Sequence, residues 1–220
     1  MYVWDFASLW SYRWLFLSGT GITVGLTIAI VVLGLLAGLV AGLAQLSRFS
    51  ALRWISWAYI EAFRCTPLLV QLLWFYYALP ILTGIEMTAW TAAVLTLSLY
   101  GGSFYAEIIR GGIVSIDKGQ SEAGLALGMT PRRVMRRIVL PQAIKRMIPP
   151  LMNQSIIQFK NTSLVSVLAV PDLLYQGQVA AMDTYRPLEV YSLIAVIYFV
   201  VLVPLTAIVK RSEKYLARSD

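Results

Sequence analysis

The sequence contains no histidine and only one cysteine, Cys65, among its 220 residues. Without histidine, the chain lacks the commonest metal ligand and the side chain that most often moves protons near neutral pH. A single cysteine rules out a disulfide bond within the chain. The sequence also lacks the phosphate-binding loop GxxxxGK(S/T) and the dinucleotide fingerprint GxGxxG. We therefore expect a chain that binds no metal, ATP or other cofactor by itself and that is not an enzyme.

Charged residues are scarce as well, since they make up 13% of the chain against 59% hydrophobic residues. This composition is too apolar for a soluble domain. A helix crosses a bilayer with about 20 apolar residues, and four windows of at least that length carry no charge. A fifth apolar stretch is interrupted by Lys160. We predict five membrane-spanning helices, over about 19–45, 65–83, 88–109, 143–168 and 189–210.

Residues 49–64 mix charged side chains with tryptophan and admit two interpretations. They form either a helix at the inner membrane interface that runs into the second span, or the first part of one long tilted helix over 54–82. Oppositely charged residues three apart on a helix are placed to pair. We expect two structural ion pairs at this spacing, Glu61 with Arg64 and Glu107 with Arg110.

Lysine and arginine are distributed unevenly about the predicted spans, and cytoplasmic loops carry the excess of these residues. Of the 18 basic residues, Lys160 lies at membrane depth, and Arg13 and Arg186 lie on the side opposite to the rest. We therefore predict that the loop over 110–146 and the C-terminus are cytoplasmic and that the N-terminus is outside. Residues 171–189 are then the longest outer segment, expected to be an exposed loop. The basic residues assigned to the inner side are Arg48, Arg53, Arg64, Arg110, Lys118, Arg132, Arg133, Arg136, Arg137, Lys145, Arg146, Lys210, Arg211, Lys214 and Arg218.

The first span carries small residues at a regular spacing. Gly34, Gly38 and Gly42 recur every four residues, with Ala37 and Ala41 beside them. Small residues at this spacing let a second helix approach closely. The second helix belongs either to the same subunit or to a neighbouring one.

The cytoplasmic loop contains the stretch QSEAGLALGMTPRRVMRRIVLP, residues 120–141. Residues 121–129 are compatible with a short helix that Gly128 ends. Thr130 is a good N-cap, and Pro131 suits the first position of a second helix.

Four arginines follow in that second helix, as the like-charge pairs Arg132/Arg136 and Arg133/Arg137. Such pairs weaken an isolated helix by a few tenths of a kcal/mol. We therefore expect a negative partner, which is either the anionic head groups of membrane lipid or an acidic protein surface.

The fourth span is unusually polar, and Pro149 and Pro150 are expected to disturb it near its inner end. Polar side chains inside a membrane normally face the protein interior or a wet cavity. They therefore either bond to neighbouring helices or line a polar route for a solute. The residues assigned to such a route are Gln154, Gln158, Lys160, Asn161 and Thr162.

The loop motif EAG-x3-G-x9-I-x-LP resembles the EAA loop of permeases from ATP-binding-cassette (ABC) importers. It is formed by Glu122, Ala123, Gly124, Gly128, Ile138, Leu140 and Pro141. The family usually has alanine where this chain has Gly124. Three further segments are similar to the polar amino-acid permeases of that superfamily, so the resemblance covers nearly the whole chain. They are FRCTPLLVQLLWFYYALP (63–80), YAEIIRGGIVSIDKGQSEA (105–123) and FKNTSLVSVL (159–168).

This resemblance implies an all-α integral membrane protein with five transmembrane helices and the fold of type I importer permeases (MetI-like). It implies one transmembrane permease domain over 1–220, with a cytoplasmic coupling loop at about 111–141. The implied partners are ABC ATPase subunits that hold ATP and Mg, a second permease subunit that is identical or related, and a periplasmic or surface amino-acid-binding protein. The implied location is the bacterial inner membrane, and no nucleic-acid partner is expected. The residues implied to dock on the ATPase are Glu122, Ala123, Gly124, Leu125, Gly128 and Met129.

The implied function is import of a polar amino acid by alternating access. Glutamate and aspartate are the favoured candidate solutes, because the MYxWD-like start and the fourth span are similar to glutamate/aspartate permeases, and basic or neutral polar amino acids stay open. An ATP-independent carrier or channel is the alternative, and it is expected to contain buried acidic relays. The long uncharged windows contain no aspartate or glutamate. A membrane enzyme is disfavoured because histidine and paired intramembrane carboxylates are absent.

Overall fold

The computed structural model describes residues 2–216, and every regular element in that range is helical. Arg218, which was assigned to the inner side, lies outside the described residues. Two 3₁₀ segments, Ala7–Tyr12 and Thr162–Leu168, and two π-helical segments, Trp74–Ala78 and Met135–Val139, interrupt or extend the α-helices. The α-helices are α1 Arg13–Gln45, α2 Ser50–Arg64, α3 Leu68–Leu73, α4 Leu79–Thr83, α5 Ala89–Val114, α6 Lys118–Ala126, α7 Pro131–Val134, α8 Leu140–Asn161, α9 Leu173–Thr184 and α10 Pro187–Leu216.

Three helices in the described range, α1, α5 and α10, are long and apolar enough to cross a membrane by themselves. Two bent pairs raise the number of spans to five when each pair counts as one. The first pair joins α2 to α3–α4, and the second joins the helix that starts at Pro131 to α9. The predicted all-α architecture with five spans is confirmed.

The prediction of one long tilted helix over 54–82 is wrong. The segments Ser50–Arg64 and Leu68–Thr83 meet at an angle of 106°. The cause is Pro67, whose backbone is extended with ψ at 132° and which precedes the first residue of α3. Proline also disfavours helical geometry in the residue before it, so the helix from Ser50 has to end upstream.

The fourth span is regular where a disturbance was expected, because α8 continues as an α-helix through Pro149 and Pro150. The widened turns that do accompany a proline are the two π segments, and each lies just before a Leu-Pro pair. Leu79 donates its N–H to the carbonyl of Trp74, and Leu140 donates to that of Met135, five residues back in both cases. The proline that follows has no N–H and its ring clashes with the carbonyl four residues earlier, so widening the preceding turn removes the conflict.

Residues 171–189 were expected to form an exposed loop, and this expectation is wrong. Most of the segment is α9, whose N-cap Asp172 accepts a hydrogen bond from the backbone N–H of Tyr175 at 2.9 Å. Ala180 and Ala181 are buried against the amino-terminal ends of α1 and α10. Small apolar residues that recur along the segment, rather than its overall polarity, were the relevant signal.

The three glycines of α1 pack within the subunit. A Cβ added to Gly38 would lie 2.5 Å from the Cβ of Tyr105 on α5. Gly34 and Gly42 face the same helix. A Cβ added to Gly34 would lie 3.2 Å from the carbonyl oxygen of Ser98, and one added to Gly42 would lie 2.8 Å from the carbonyl oxygen of Ala106. The glycines therefore serve close packing inside the chain, as the first of the two interpretations predicted.

Contacts between antiparallel helices fix which residues lie at the same depth. They join α5 to α8 at two levels and α8 to α10 at one. The contacts are a Cβ position on Gly112 within 2.2 Å of Met147 Cγ, Tyr105 Oη to Ser155 Oγ at 2.9 Å, and the rings of Phe159 and Tyr198 at 5.8 Å.

One of the two predicted ion pairs forms. Arg110 contacts Glu107 at 2.9 Å, as expected. The pair between Glu61 and Arg64 is wrong, because Arg64 ends α2 at the sharp bend and reaches across to Glu107 at 3.6 Å. Glu61 instead accepts a hydrogen bond from the thiol of Cys65.

Candidate functional site

The short helix α6, which was predicted to be cytoplasmic, is fixed at both ends. Its N-cap Asp117 accepts a hydrogen bond from the backbone N–H of Gly119 at 2.6 Å, so the helix starts three residues earlier than predicted. Gly128 ends the helical segment in the left-handed region with φ at 76°, where glycine is unstrained, as predicted. Thr130 and Pro131 occupy the predicted N-cap and first position of α7, although the Thr130 side chain makes no capping hydrogen bond.

Gly124 packs α6 against the helix that follows it. A Cβ at this position would lie 2.8 Å from Ile138 Cδ1 and 2.9 Å from Val134 Cγ2. These distances are too short for an unshifted methyl group. Tight packing therefore explains why glycine stands where the resembling family usually has alanine.

The other predicted docking residues of α6 divide into two groups. Glu122, Ala123 and Leu125 are exposed, and they share the side of the helix that the chain leaves uncovered. Met129 is partly buried against the chain's own apolar cluster around Val134, so its side chain is less available to a partner.

Leu127, which the sequence reasoning did not select, is 83% exposed and is the most prominent apolar residue of this element. Leu125 beside it is 47% exposed. An apolar side chain two residues after Leu125 and directly before the glycine stop was the available signal. The two leucines give α6 an apolar tip in an otherwise polar loop.

The four arginines all lie on the surface, and no ion pair involves them among residues 2–216. Val134 and Ile138 point toward α6. Arg132 lies two positions before Val134, and Arg136 lies two positions before Ile138. Residues two apart on a helix point to nearly opposite sides. These two arginines therefore point away from α6.

The polar residues of the fourth span do not all face the same way. Gln154 and Gln158 are buried, and Gln158 Nε2 donates to the carbonyl of Leu97 on α5 at 2.9 Å. Asn161 Nδ2 in turn donates to Gln158 Oε1 at 3.0 Å. In the conformation described, this group bonds the span to a neighbouring helix.

Lys160 and Thr162 are separated from that buried group. Lys160 is exposed and has no ion pair within the described part of the chain. Thr162 is fully buried, and its hydroxyl donates to the carbonyl of Phe159 at 2.7 Å. A role for these five polar residues in a solute route stays a prediction.

Sequence reasoning missed a buried carboxylate at the start of α9. Asp172 is fully buried, and its Oδ2 has no hydrogen-bond partner in the described structure. The hydroxyl of Tyr198 on α10 is also buried without a partner there. The Pro-Asp pair before an apolar segment indicates a helix start, but nothing in the sequence indicates burial.

A second missed group joins the amino-terminal segment to the start of α10. Tyr2 donates its hydroxyl hydrogen to Glu189 Oε2, which raises the pKa of the Tyr2 phenol, and the Asp5 N–H donates to Glu189 Oε1. Arg186 contacts Glu189 at 3.1 Å and Asp5 at 3.8 Å. The Glu189 side chain is fully buried under these contacts.

No cluster of three or more histidine, cysteine, aspartate or glutamate residues capable of holding a metal occurs between residues 2 and 216.

Comparison with known proteins identifies relatives across most of the chain. The family described as "Binding-protein-dependent transport system inner membrane component" matches residues 30–219. The chain is 42% identical over 161 residues to the glutamine transport system permease protein GlnP of Escherichia coli strain K12, covering 73% of this chain and 74% of that protein. It is 38% identical over 178 residues to the arginine transport system permease protein ArtQ of Bacillus subtilis strain 168, covering 81% of each.

Solved structures give the same result. The chain matches a crystal structure of an amino acid ABC transporter with histidines, with a TM-score of 0.92, 39% identity and coverage of 97% of this chain and 100% of that one. It shares its fold with the inward-facing methionine ABC transporter MetNI, with a TM-score of 0.71, 21% identity and coverage of 91% and 97%.

Proposed function

The chain belongs to the family of binding-protein-dependent transport system inner membrane components, and from this premise we propose that it imports a polar amino acid by alternating access. It is a multi-pass amino-acid permease of the ABC importer class, a family that works with ATPase and binding-protein partners. The finer points of the proposal are the docking surface, the orientation, the subunit composition and the solute.

The exposed apolar tip of α6 is the observation that carries the coupling proposal. Leu125 and Leu127 project from a short helix that is capped at Asp117, packed through Gly124 and ended by Gly128. A rigid helix with an uncovered apolar tip suits insertion into a groove of another protein. We assign that groove to the ATPase, which would hold the ATP and Mg that this chain has no motif to bind.

The proposed mechanism links ATP binding to movement of the spans. Two ATPase subunits would bind two permease subunits, and their closure on ATP would draw the two α6 helices together. Because α6 packs on the helix that continues into α8, its displacement would pass to the fourth span. Opening of the outer side would then admit the solute, and hydrolysis would reset the subunits.

The proposed orientation places the C-terminus and α6 in the cytoplasm and the amino-terminal segment outside. It rests on the excess of lysine and arginine at the inner ends of the spans. The outer segment that contains α9 would then face a soluble amino-acid-binding protein. The second permease subunit would be either a copy of this chain or a related one.

The solute is proposed to be a polar amino acid. Sequence similarity of the amino-terminal start and the fourth span favours glutamate or aspartate, whereas two relatives carry names that assign them to glutamine and arginine. Competition among these four amino acids for the cognate binding protein is the direct test. Tightest binding of glutamine or arginine would contradict the acidic preference.

Reconstituted uptake tests the coupling proposal. We expect amino-acid uptake into vesicles to need both ATP and the ATPase. Leu127→Asp should abolish retention of the ATPase while leaving the permease folded, because a charge would have to enter an apolar groove. Leu46→Asp is the matched control, since Leu46 is also an exposed leucine but lies in the turn after α1, outside the spans and away from α6.

Full uptake without ATP would instead support the alternative of an ATP-independent carrier. Retention of the ATPase by Leu127→Asp would move the docking surface away from α6 and leave the family membership untouched.

A further inference from the structure

Helices α1, α8 and α10 border an open groove on the flank of the spans. Its volume is about 550 Å³, within the roughly 300–1,000 Å³ typical of small-ligand sites. Representative lining residues are Ile28 of α1, Ile156 of α8, and Val201, Leu205 and Ile208 of α10. The groove lies inside the membrane-spanning part of the chain, because all three helices belong to predicted spans.

The few polar atoms of the groove already have partners. Thr27 donates its hydroxyl hydrogen to the carbonyl of Thr23 at 2.7 Å. The Ser155 hydroxyl lies 2.9 Å from the carbonyl of Leu151 and 2.9 Å from the Tyr105 hydroxyl. The groove therefore offers apolar surface to a ligand and asks for no hydrogen bond, which suits a hydrocarbon chain.

The inner end of the groove lies at the inner edge of the hydrocarbon layer. Phe159 of α8 and Tyr198 of α10 are at the same depth, because their rings are in contact. Ile208 lies about 15 Å beyond Tyr198 along α10. The same distance from Phe159 toward the start of the antiparallel α8 reaches the turn that contains Met147, so Ile208 and Met147 are at similar depth. Met147 contacts Gly112, just beyond the ion pairs at the inner end of α5.

Two basic residues follow immediately at that depth. Lys210 and Arg211 are exposed and make no ion pair within residues 2–216. Arg211 comes three residues after Ile208 and so shares its side of the helix. Further along α10, the charges of Glu213 and Lys214 offset each other. The inner end of the groove is therefore apolar on the side toward the membrane centre and positively charged on the cytoplasmic side. This arrangement complements a lipid with an anionic head group.

The arginines after α6 are more numerous but lie too deep in the cytoplasm for this role. Arg137 precedes Met147 by ten residues, or about 15 Å along the helix. The head-group layer on one side of a bilayer is only about 5–7 Å thick. Depth therefore separates the two basic groups, although both lie on the inner side.

A helix of a second subunit is a poorer fit than a lipid. Helices pack closely in membranes through glycine, alanine and other small residues. Among residues 2–216 no glycine or alanine lines the groove, and its two small polar residues, Thr27 and Ser155, already bond within their own helices. The glycines Gly34, Gly38 and Gly42 of α1 face α5 instead. A flexible acyl chain fills a space between bulky branched side chains more readily than a helix does.

We propose that this groove binds one acyl chain of an anionic phospholipid from the inner leaflet, with Lys210 and Arg211 holding its phosphate. The inference rests on the proposed orientation, which puts this end of α10 at the cytoplasmic face. The bound lipid joins α10 to α1 and α8 along a side where the protein alone leaves an open space.

Lipid titration of the purified permease with its ATPase tests the site. Bound lipids are counted by native mass spectrometry during titration with phosphatidylglycerol or, separately, phosphatidylcholine. We expect the wild-type protein to prefer phosphatidylglycerol. The variant Lys210→Gln/Arg211→Gln should lose roughly fivefold of that preference per basic residue, and hence on the order of 25-fold for both.

Two further variants separate charge from position and from shape. Arg132→Gln/Arg133→Gln/Arg136→Gln/Arg137→Gln removes twice as many charges and should retain the preference. Ile28→Trp/Val201→Trp fills the groove and should weaken binding of both lipids. Gel filtration of each variant checks that it is folded.

The proposal would be overturned by equal binding of the two lipids by the wild-type protein, by loss of preference in the four-arginine variant, or by unchanged lipid binding in the tryptophan variant. A disulfide between copies carrying Ile28→Cys in a Cys65→Ser background would show a second subunit in the groove and would also overturn it. ATP-driven uptake and the side on which a C-terminal tag is accessible are measured separately, so a failed lipid site remains distinguishable from a failed transport function or orientation.

Discussion

Helices α5 and α10 both cross the membrane, but they occupy opposite environments. In its most apolar stretch, α5 has 61% of its residues buried inside the chain, whereas α10 has 11%. The buried helix is the more polar of the two, with Thr96, Ser98 and Ser103 enclosed by protein. The exposed helix presents valine, phenylalanine and isoleucine to its surroundings. Between these two helices, polarity within the span therefore accompanies burial in the protein, because lipid favours apolar side chains.

The largest expected effect comes from overfilling the contact of α5 with α1. Gly38→Ala places a methyl group 2.5 Å from the Cβ of Tyr105, which cannot rotate away, and should cost about 3 kcal/mol of unfolding free energy. Gly25→Ala on the same helix adds a methyl group that would meet no packed neighbour within 4 Å among the described residues, its own helix backbone aside. This variant should be neutral or slightly stabilising. Thermal unfolding in detergent, followed by gel filtration, measures both. Equal stability of the two variants would mean that α1 and α5 are not in close contact.

The next effect concerns a polar bond to the buried helix. Gln158→Leu leaves the Leu97 carbonyl and the Asn161 amide without this partner and should cost about 2 kcal/mol. On α10, Thr206 bonds only to the carbonyl of Leu202 in its own helix, so Thr206→Val should change stability by less than about 0.5 kcal/mol. Chemical denaturation in mixed micelles gives the two values. A larger loss in Thr206→Val would reverse the contrast between the helices.

A smaller effect is expected at the inner end of α5, where the helix leaves the hydrocarbon. Glu107→Gln removes the charge that Arg110 and Arg64 contact, but all three side chains are partly exposed. Partly exposed ion pairs contribute about 1 kcal/mol or less, and salt screens them. The loss of stability should therefore shrink when the denaturation is repeated at high salt. A salt-independent loss would indicate that Glu107 is more enclosed than the structure describes.

The smallest effect is expected on the lipid-facing side of α10. Val200→Ala shortens an exposed side chain and should alter the unfolding free energy by less than about 0.5 kcal/mol. Ile109→Val on α5 is the comparison at a buried position and should cost about 0.5–1.5 kcal/mol. Detergent denaturation of both variants sharpens the comparison, and a substantial loss in Val200→Ala would place a protein partner on that side of α10.

The same contrast explains what the sequence allowed us to predict. Four uncharged windows and one apolar stretch interrupted by Lys160 predicted the five spans, because crossing hydrocarbon demands mostly apolar residues whatever the fold. Gly128 and Pro131 were placed correctly because their roles depend on local backbone geometry. The sequence around Glu122 predicted a short helix, and the structure has α6 there.

What failed depends on contacts between distant residues. The pairing of Arg64 with Glu107 needs the bend at Pro67, and a spacing rule cannot show it. The enclosure of Asp172 likewise depends on three helices meeting around it. Met129 turned inward because an apolar cluster lies beneath the loop. Leu127 was overlooked because an exposed leucine is recognised only once its neighbours are placed.

The hydrogen bond from Tyr2 to Glu189 has a consequence for the order in which the protein is made. Its two residues are 187 positions apart, so the opening segment has no permanent place until the last span has been synthesised. Because the chain emerges from the ribosome in sequence order, this aromatic segment stays without that partner while the intervening helices are made. The bond forms only on the arrival of the final helix, and protection of the segment from an added protease would report that the subunit is complete.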